Sequence, residues 1–316
     1  QNRPTTLCRR AMCKASGLAS GAKPAAASTI DQSAGLGRVA VIVGSFTAAM
    51  CYALQPLDSP GTIYHDSAVM GALLSWPMVY IAPLAYVCAV MAGCRLMSQR
   101  ASIKPFLKQY VQPVYNVFQI VMCSYMVWGL APKVDVLGLN PFAMNTERDK
   151  KTEWFMFVHY LSKFVDWTDT FLMIGSKSFR QVSFLQVFHH ATVGMIWGAL
   201  LRKGWGGGTC VWGAFINSVT HVLMYTHYLV TSLGLHNPLK SQLTNFQLAQ
   251  FASCVLHAAL VFASETVLPA RLAYIQLVYH PTLLFLFGFQ MKWVPSWITG
   301  QTITGRESEA PEKKVA

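Results

Sequence analysis

Phe184-Leu-Gln-Val-Phe-His-His-Ala-Thr-Val-Gly-Met-Ile-Trp-Gly-Ala-Leu-Leu201 runs for eighteen residues without a Lys, Arg, Asp or Glu. A crossing of the bilayer takes about 20 apolar residues, so this stretch reads as a transmembrane helix. The run is continuous rather than alternating, which argues against a barrel strand, because hydrocarbon requires each segment to bond its own backbone. Yet it holds a glutamine and two adjacent histidines. Polar heads inside a span are costly, which makes them functional candidates.

Six further runs of the same kind lie outward from it, at Val69–Gly93, Tyr110–Leu130, Trp154–Ile174, Val211–Leu233, Phe246–Leu268 and Leu272–Trp293. The expected fold is therefore all-α, a polytopic membrane protein with seven transmembrane helices. An eighth N-terminal candidate, Val39–Leu54, is short and rich in Gly, Ser and Thr, as suited to the interface as to spanning. Composition agrees. The chain has 316 residues, 53% apolar and 12% charged, with a mean hydropathy of +0.36. Soluble domains carry about 25% charged residues, so disorder, coiled coil and most cytosolic enzymes are excluded, and no room remains for a separate soluble domain.

The net charge of +12 sits in loops and tails, where Lys and Arg fix topology and meet anionic headgroups or ligands. No nucleic-acid motif accompanies it, and nucleic acid is not an expected partner. Loops on one side collect Arg95, Arg100, Lys104, Lys108, Lys177, Arg180 and Lys240, whereas the other side offsets Lys133, Arg148, Lys150 and Lys151 with Asp135, Glu147, Asp149 and Glu153. The first side is the expected cytosolic one. Residues 1–37 read as a basic tail, disordered or targeting, and 38–68 as a short apolar segment with a loop. The membrane domain then covers 69–294, and 295–316 form a tail expected to be cytosolic. Lys313 and Lys314 in that tail resemble a dilysine retrieval signal of endoplasmic reticulum membrane proteins. Eight cysteines lie singly, with no CxxC spacing, and are expected to be packed free thiols.

Intramembrane polar residues concentrate in a few spans. His159, Lys163, Asp166 and Thr170 recur at intervals of four, three and four, one helical face, with Asp169 beside it. Lys163 and Asp166 can neutralise each other at i, i+3, and a purely structural ion pair is the plain alternative. Gln186 lies one turn before His189 and His190. Asn217, His221, Tyr225 and Tyr228 follow helical spacing on the next span. Thr244, Gln247 and Gln250 follow at threes, with His257 on the same face, and interhelical hydrogen bonding is as good an account of that row as ligand contact. His65, His236 and His280 are isolated and read as structural or interfacial.

In this order the residues resemble the ELO family of fatty acid elongases, condensing enzymes of the endoplasmic reticulum. Lys163-Phe-Val-Asp166-Trp-Thr-Asp169-Thr170 is similar to the family's KxxExxDT, and Gln186-Val-Phe-His189-His190 to HxxHH. Asn217-Ser-Val-Thr-His221-Val-Leu-Met224-Tyr225-Thr-His227-Tyr228 is similar to NxxxHxxMYxYY, and Thr244-Asn-Phe-Gln247-Leu-Ala-Gln250 to TxxQxxQ. Three departures stand out: Asp166 for Glu, Gln186 for the first His, and His227 for Tyr. Glutamine is neither nucleophile nor base, so Gln186 is left with hydrogen bonding or positioning.

The resemblance implies six of the seven helices around an acyl tunnel, open to the cytosol where CoA docks. It implies acyl-CoA and malonyl-CoA as substrates, no cofactor and no metal, and membrane lipid as the surroundings. A ketoacyl reductase, a dehydratase and an enoyl reductase would complete the cycle, and a second copy of the chain is a further candidate partner. Gln186 and the Asn217 motif look more like those of elongases for polyunsaturated chains. The expected catalytic set is His189 as nucleophile, with His190, His221, Gln186, Asn217 and Tyr225 around it. Lys163, Asp166, Asp169, Thr170, Tyr228, Gln247 and Gln250 are expected to hold substrate, and Lys177, Arg180, Lys240 and Lys292 to meet CoA phosphates.

Two other classes compete. A membrane di-iron desaturase or hydroxylase also uses histidine boxes, but needs roughly eight clustered histidines; this chain has nine in all, and outside Gln186–His190 none is box-spaced. A seven-helix transporter or receptor predicts matched broken helices in two halves, and Pro77, Pro83 and Pro281 do not match.

Overall fold

A computed structural model describes residues 26–54, 62–238 and 240–290, and among them it contains helices and no strands. The chain forms α1 (Ala26–Leu54), α2 (Ile63–Asp66), α3 (Ala68–Leu73), α4 (Ala82–Ser98), α5 (Lys104–Phe106), α6 (Gln112–Leu130), α7 (Lys150–Val165), α8 (Trp167–Gly175), α9 (Phe184–Arg202), α10 (Val211–Ser232), α11 (Lys240–Ser264) and α12 (Ala270–Gln290). Five segments combine the length and apolarity of a span: Gly37–Leu54, Ala68–Ser98, Lys104–Lys133, Phe184–Arg202 and Gln242–Ser264. Falling outside that set are α7 with Lys150, Lys151, Glu153 and Lys163, α10 with its polar stripe, and α12 with Gln276 and His280. At 1.5 Å per residue, the 22 residues of α10 still reach about 33 Å, a bilayer's thickness.

Helix α1 begins at Ala26, inside the stretch read as a tail. Its Ala-rich start favours helix intrinsically. Val39, Val43, Met50 and Leu54 share one face and are buried, where α1 packs against α4 and α9, while Val41, Ile42 and Tyr52 face outward. The expected retrieval signal, Lys292 and the last residues of the final predicted span lie outside the described residues.

Two widened turns lead into α4 and α6. Ala82 N–H bonds Pro77 O just before Pro83, and Gln112 N–H bonds Leu107 O just before Pro113. A proline ring crowds the carbonyl four residues back and donates nothing to it, so the preceding residue reaches five back instead. Further along, α9 approaches α7 closely at Gly198, where a Cβ would come within 2.7 Å of Tyr160 Cε2 and 3.0 Å of Val79 Cγ2.

One end of the bundle is tied by Glu265, in the turn between α11 and α12. Its carboxylate accepts from Asn145 N and Thr209 Oγ1, both at 2.8 Å, and from Val267 N at 3.0 Å. Burial acts to raise this carboxyl, but those donors outweigh it and hold it below the usual range. The six described cysteines carry free thiols.

Candidate active site

Helix α7 starts at Asp149, whose carboxylate accepts from Thr152 N at 2.9 Å, and runs inward to a turn at Asp166 where α8 takes over. That turn splits the predicted face. His159, Lys163 and Asp166 look towards α10, Asp169 looks into a cavity, and Thr170 turns to Tyr86 of α4, hydroxyl to hydroxyl at 2.8 Å. Lys163 and Asp166 are buried, with side chains 2% and 5% exposed, and their charges meet at 3.0 Å. The ammonium also donates to Asn217 Oδ1 at 2.9 Å. His159 lies edge-on to Trp197.

Helix α9 is capped by Ser183, whose hydroxyl accepts from Gln186 N at 3.2 Å. The cap fixes the register that stacks Gln186 under His190, their Nε2 atoms 3.0 Å apart. His190 Nδ1 and His221 Nδ1 are buried without a hydrogen-bond partner among the described residues. For His189 the donor order can be followed. Thr192 donates to Phe188 O at 2.7 Å and lies 2.9 Å from Tyr279 OH, which lies 3.4 Å from His189 Nδ1. With Tyr279 donating to Thr192, His189 Nδ1 carries the proton, and the Nε2 lone pair is left uncommitted.

Two cavities meet at His189. One, of about 140 Å³, is lined by Asp169, Gln186, His189, His190, Asn217, His221, Tyr225, Tyr228, Gln247 and Gln250. The other, of about 80 Å³, is mainly apolar, with Val193, Ile196, Trp197, Leu200, Leu272, Ile275 and Leu283 in its wall. His189, Asn217, Gln250 and Phe251 line both and form a waist between them. Since α9 runs from Gln186 to Leu200, the polar chamber lies towards the end carrying Arg180 and Lys240, and the apolar one towards the Glu265 end. The walls come from α8 to α12 and the turns between them, plus Met50 of α1.

Lys163 and Thr170 line neither chamber. Lys177 Nζ is turned back onto the carbonyls of Arg100, at 3.0 Å, and Ser98, at 3.5 Å. His257 sits behind the wall against Phe142 and Gln276. His280, isolated in the sequence, lines the apolar chamber with Gln276 and Tyr279. Sequence reading also missed Tyr115 and Gln119 on α6, which meet Asp166 and Tyr225. A glutamine in an apolar run was the signal available for them.

The sequence model of the ELO family, described as the GNS1/SUR4 family, matches residues 72–291. Fatty acid elongase 5 of Trypanosoma cruzi (strain CL Brener) is 42% identical to this chain over 218 residues, 69% of this chain and 84% of that protein. Fatty acid elongase 5 of Leishmania major is 36% identical over 235 residues, 74% and 91% of the two chains. Very long chain fatty acid elongase 5 of Rattus norvegicus is 29% identical over 232 residues, 70% and 76%. The family match takes in every helix that walls the two chambers except α1, and the chain belongs to the ELO family of fatty acid elongases.

Proposed function

We propose that the chain is a 3-oxoacyl-CoA synthase that condenses a long-chain acyl-CoA, with preference for polyunsaturated chains, with malonyl-CoA. One observation carries this reading: three imidazoles from two helices line the polar chamber, and one of them, His189, stands at the waist it shares with the apolar chamber. An acyl chain gains about 0.8 kcal/mol per buried CH₂, which suits it to the apolar side. The charged CoA belongs at the other end, near Arg180 and Lys240.

His189 Nε2 attacks the acyl thioester carbonyl. The carbon–sulfur bond breaks, and CoA leaves as a thiolate that takes a proton. Malonyl-CoA loses CO₂, its C2 carbanion attacks the acyl-imidazole carbonyl, the carbon–nitrogen bond breaks and the imidazole is regenerated. The products are 3-ketoacyl-CoA, CoA and CO₂, and the chemistry needs no cofactor beyond the two thioesters. His190, His221, Asn217 and Tyr225 orient, move protons or steady the oxyanion. Gln186 donates to His190 Nε2, which leaves the proton of that ring on Nδ1.

The reading places the enzyme in the endoplasmic reticulum membrane with its C-terminus in the cytosol, alongside separate reductase and dehydratase partners. Incubation with acyl-CoA alone, followed by peptide mapping, should recover an acyl adduct on His189. Recovery of a ternary complex only, with no adduct, overturns the acyl-imidazole route. A panel of saturated and polyunsaturated acyl-CoAs, each supplied with malonyl-CoA, tests the substrate preference.

A further inference from the structure

The network around Asp166 contains a member that belongs to none of the four motifs. Gln119, on α6, is fully buried. Its amide nitrogen lies 2.9 Å from Asp166 Oδ1, 2.8 Å from Tyr115 OH and 3.0 Å from Tyr225 OH. Both tyrosine protons have acceptors elsewhere: Tyr225 donates to Asp169 Oδ2 at 2.5 Å, and Tyr115 to Val165 O at 3.2 Å. Gln119 is therefore the donor here. The amide cannot be turned over, since its oxygen would then face a carboxylate. That oxygen is buried with no partner among the described residues, an unfavourable arrangement accepted for the sake of where the nitrogen points.

Asp166 Oδ2 is held by Lys163. Oδ1 stands 3.7 Å from His221 Nδ1, just beyond hydrogen-bond range, and His221 Nδ1 is buried and unpartnered. In the motif that this segment resembles, the carboxylate is a glutamate's, one methylene longer and able to reach further. With the shorter aspartate, the rotation of the carboxylate decides whether an oxygen faces His221 at all.

We propose that Gln119 is a positioning residue for the condensation. By donating to Asp166 Oδ1 it fixes the rotation of the shorter side chain, and it keeps the charge of that oxygen 3.7 Å from His221 Nδ1, where it favours the tautomer with the proton on Nδ1. His221 then presents Nε2 to the chamber. The inference rests on the condensation reading above.

The test is a double-mutant cycle on the full chain in detergent, assayed with acyl-CoA and malonyl-CoA. Gln119→Leu should lower kcat by about 10- to 100-fold, the range for losing an outer partner that orients a working histidine, with KM for acyl-CoA nearly unchanged. In an Asp166→Glu background, where the carboxylate reaches His221 unaided, the same change should cost less than about threefold. Full activity of Gln119→Leu, an equal loss in both backgrounds, or an inactive Asp166→Glu overturns the proposal. If Gln119→Leu does not accumulate, Gln119→Asn, whose amide stops one methylene short, is read the same way; failure of both to fold assigns Gln119 to packing and also overturns it. A wild-type chain without condensation activity would refute the reaction rather than the role of Gln119.

Discussion

Lys163, in the last turn of α7, reaches Asp166 and Asn217, and its ammonium balances the Asp166 carboxylate. Lys163→Met should therefore leave Asp166 as an uncompensated buried charge, at a cost of about 3–5 kcal/mol. Thermal unfolding in detergent reads this directly, and a Lys163→Met protein as stable as wild type would show the pairing to be idle. Spacing in the chain predicted this pair, because i, i+3 partners on one helix follow from the sequence alone. It also predicted that Gln186 would reach the His189-His190 pair. It did not show that Thr170 leaves the group, since the turn at Asp166 rotates everything after it. Tyr115, Gln119 and Tyr279 join through side chains on other helices, and which helices are neighbours is a tertiary fact.

At the scale of elements, helix α7 depends on its first residues. Burial acts to raise Asp149, but Lys133 at 2.7 Å and two bonds from Thr152 outweigh it, and the carboxyl is held down to about 2. A lowered folded-state value stabilises the fold above the ordinary value of 3.8, and that stability is lost as pH falls through about 2. Asp149→Asn keeps the cap but removes the charge. Its unfolding temperature should fall less steeply than wild type's across that window, and identical acid profiles would rule the contribution out. The helices themselves were legible as apolar runs, and their order held. The start of α1 was not, because Gly, Ser and Thr dilute its apolar signal and only packing against α4 and α9 shows which face is inside.

Over the whole molecule, the proposed orientation, argued from charge bias, puts the end with Arg180 and Lys240 in the cytosol and the Glu265 end opposite. A glycosylation acceptor inserted near Leu137 and Leu139, both fully exposed, should be modified in microsomes. Modification at a tag placed after the last helix instead would invert the topology and put the polar chamber on the wrong side for cytosolic CoA. The two-chamber interior was legible only in part. Clustered histidines foretold a site, but a cavity is the space that side chains leave, and no spacing rule describes it.

The separation of Lys163 and Asp166 by less than one turn also bears on biogenesis. Both charges leave the ribosome within a few residues of each other and can cancel as soon as that turn winds, before α10 has been synthesised. The segment can thus leave the translocation channel with that pair of charges already neutralised. Placing the carboxylate on a distant helix would strand a bare cation in the lateral gate until the rest of the protein arrived.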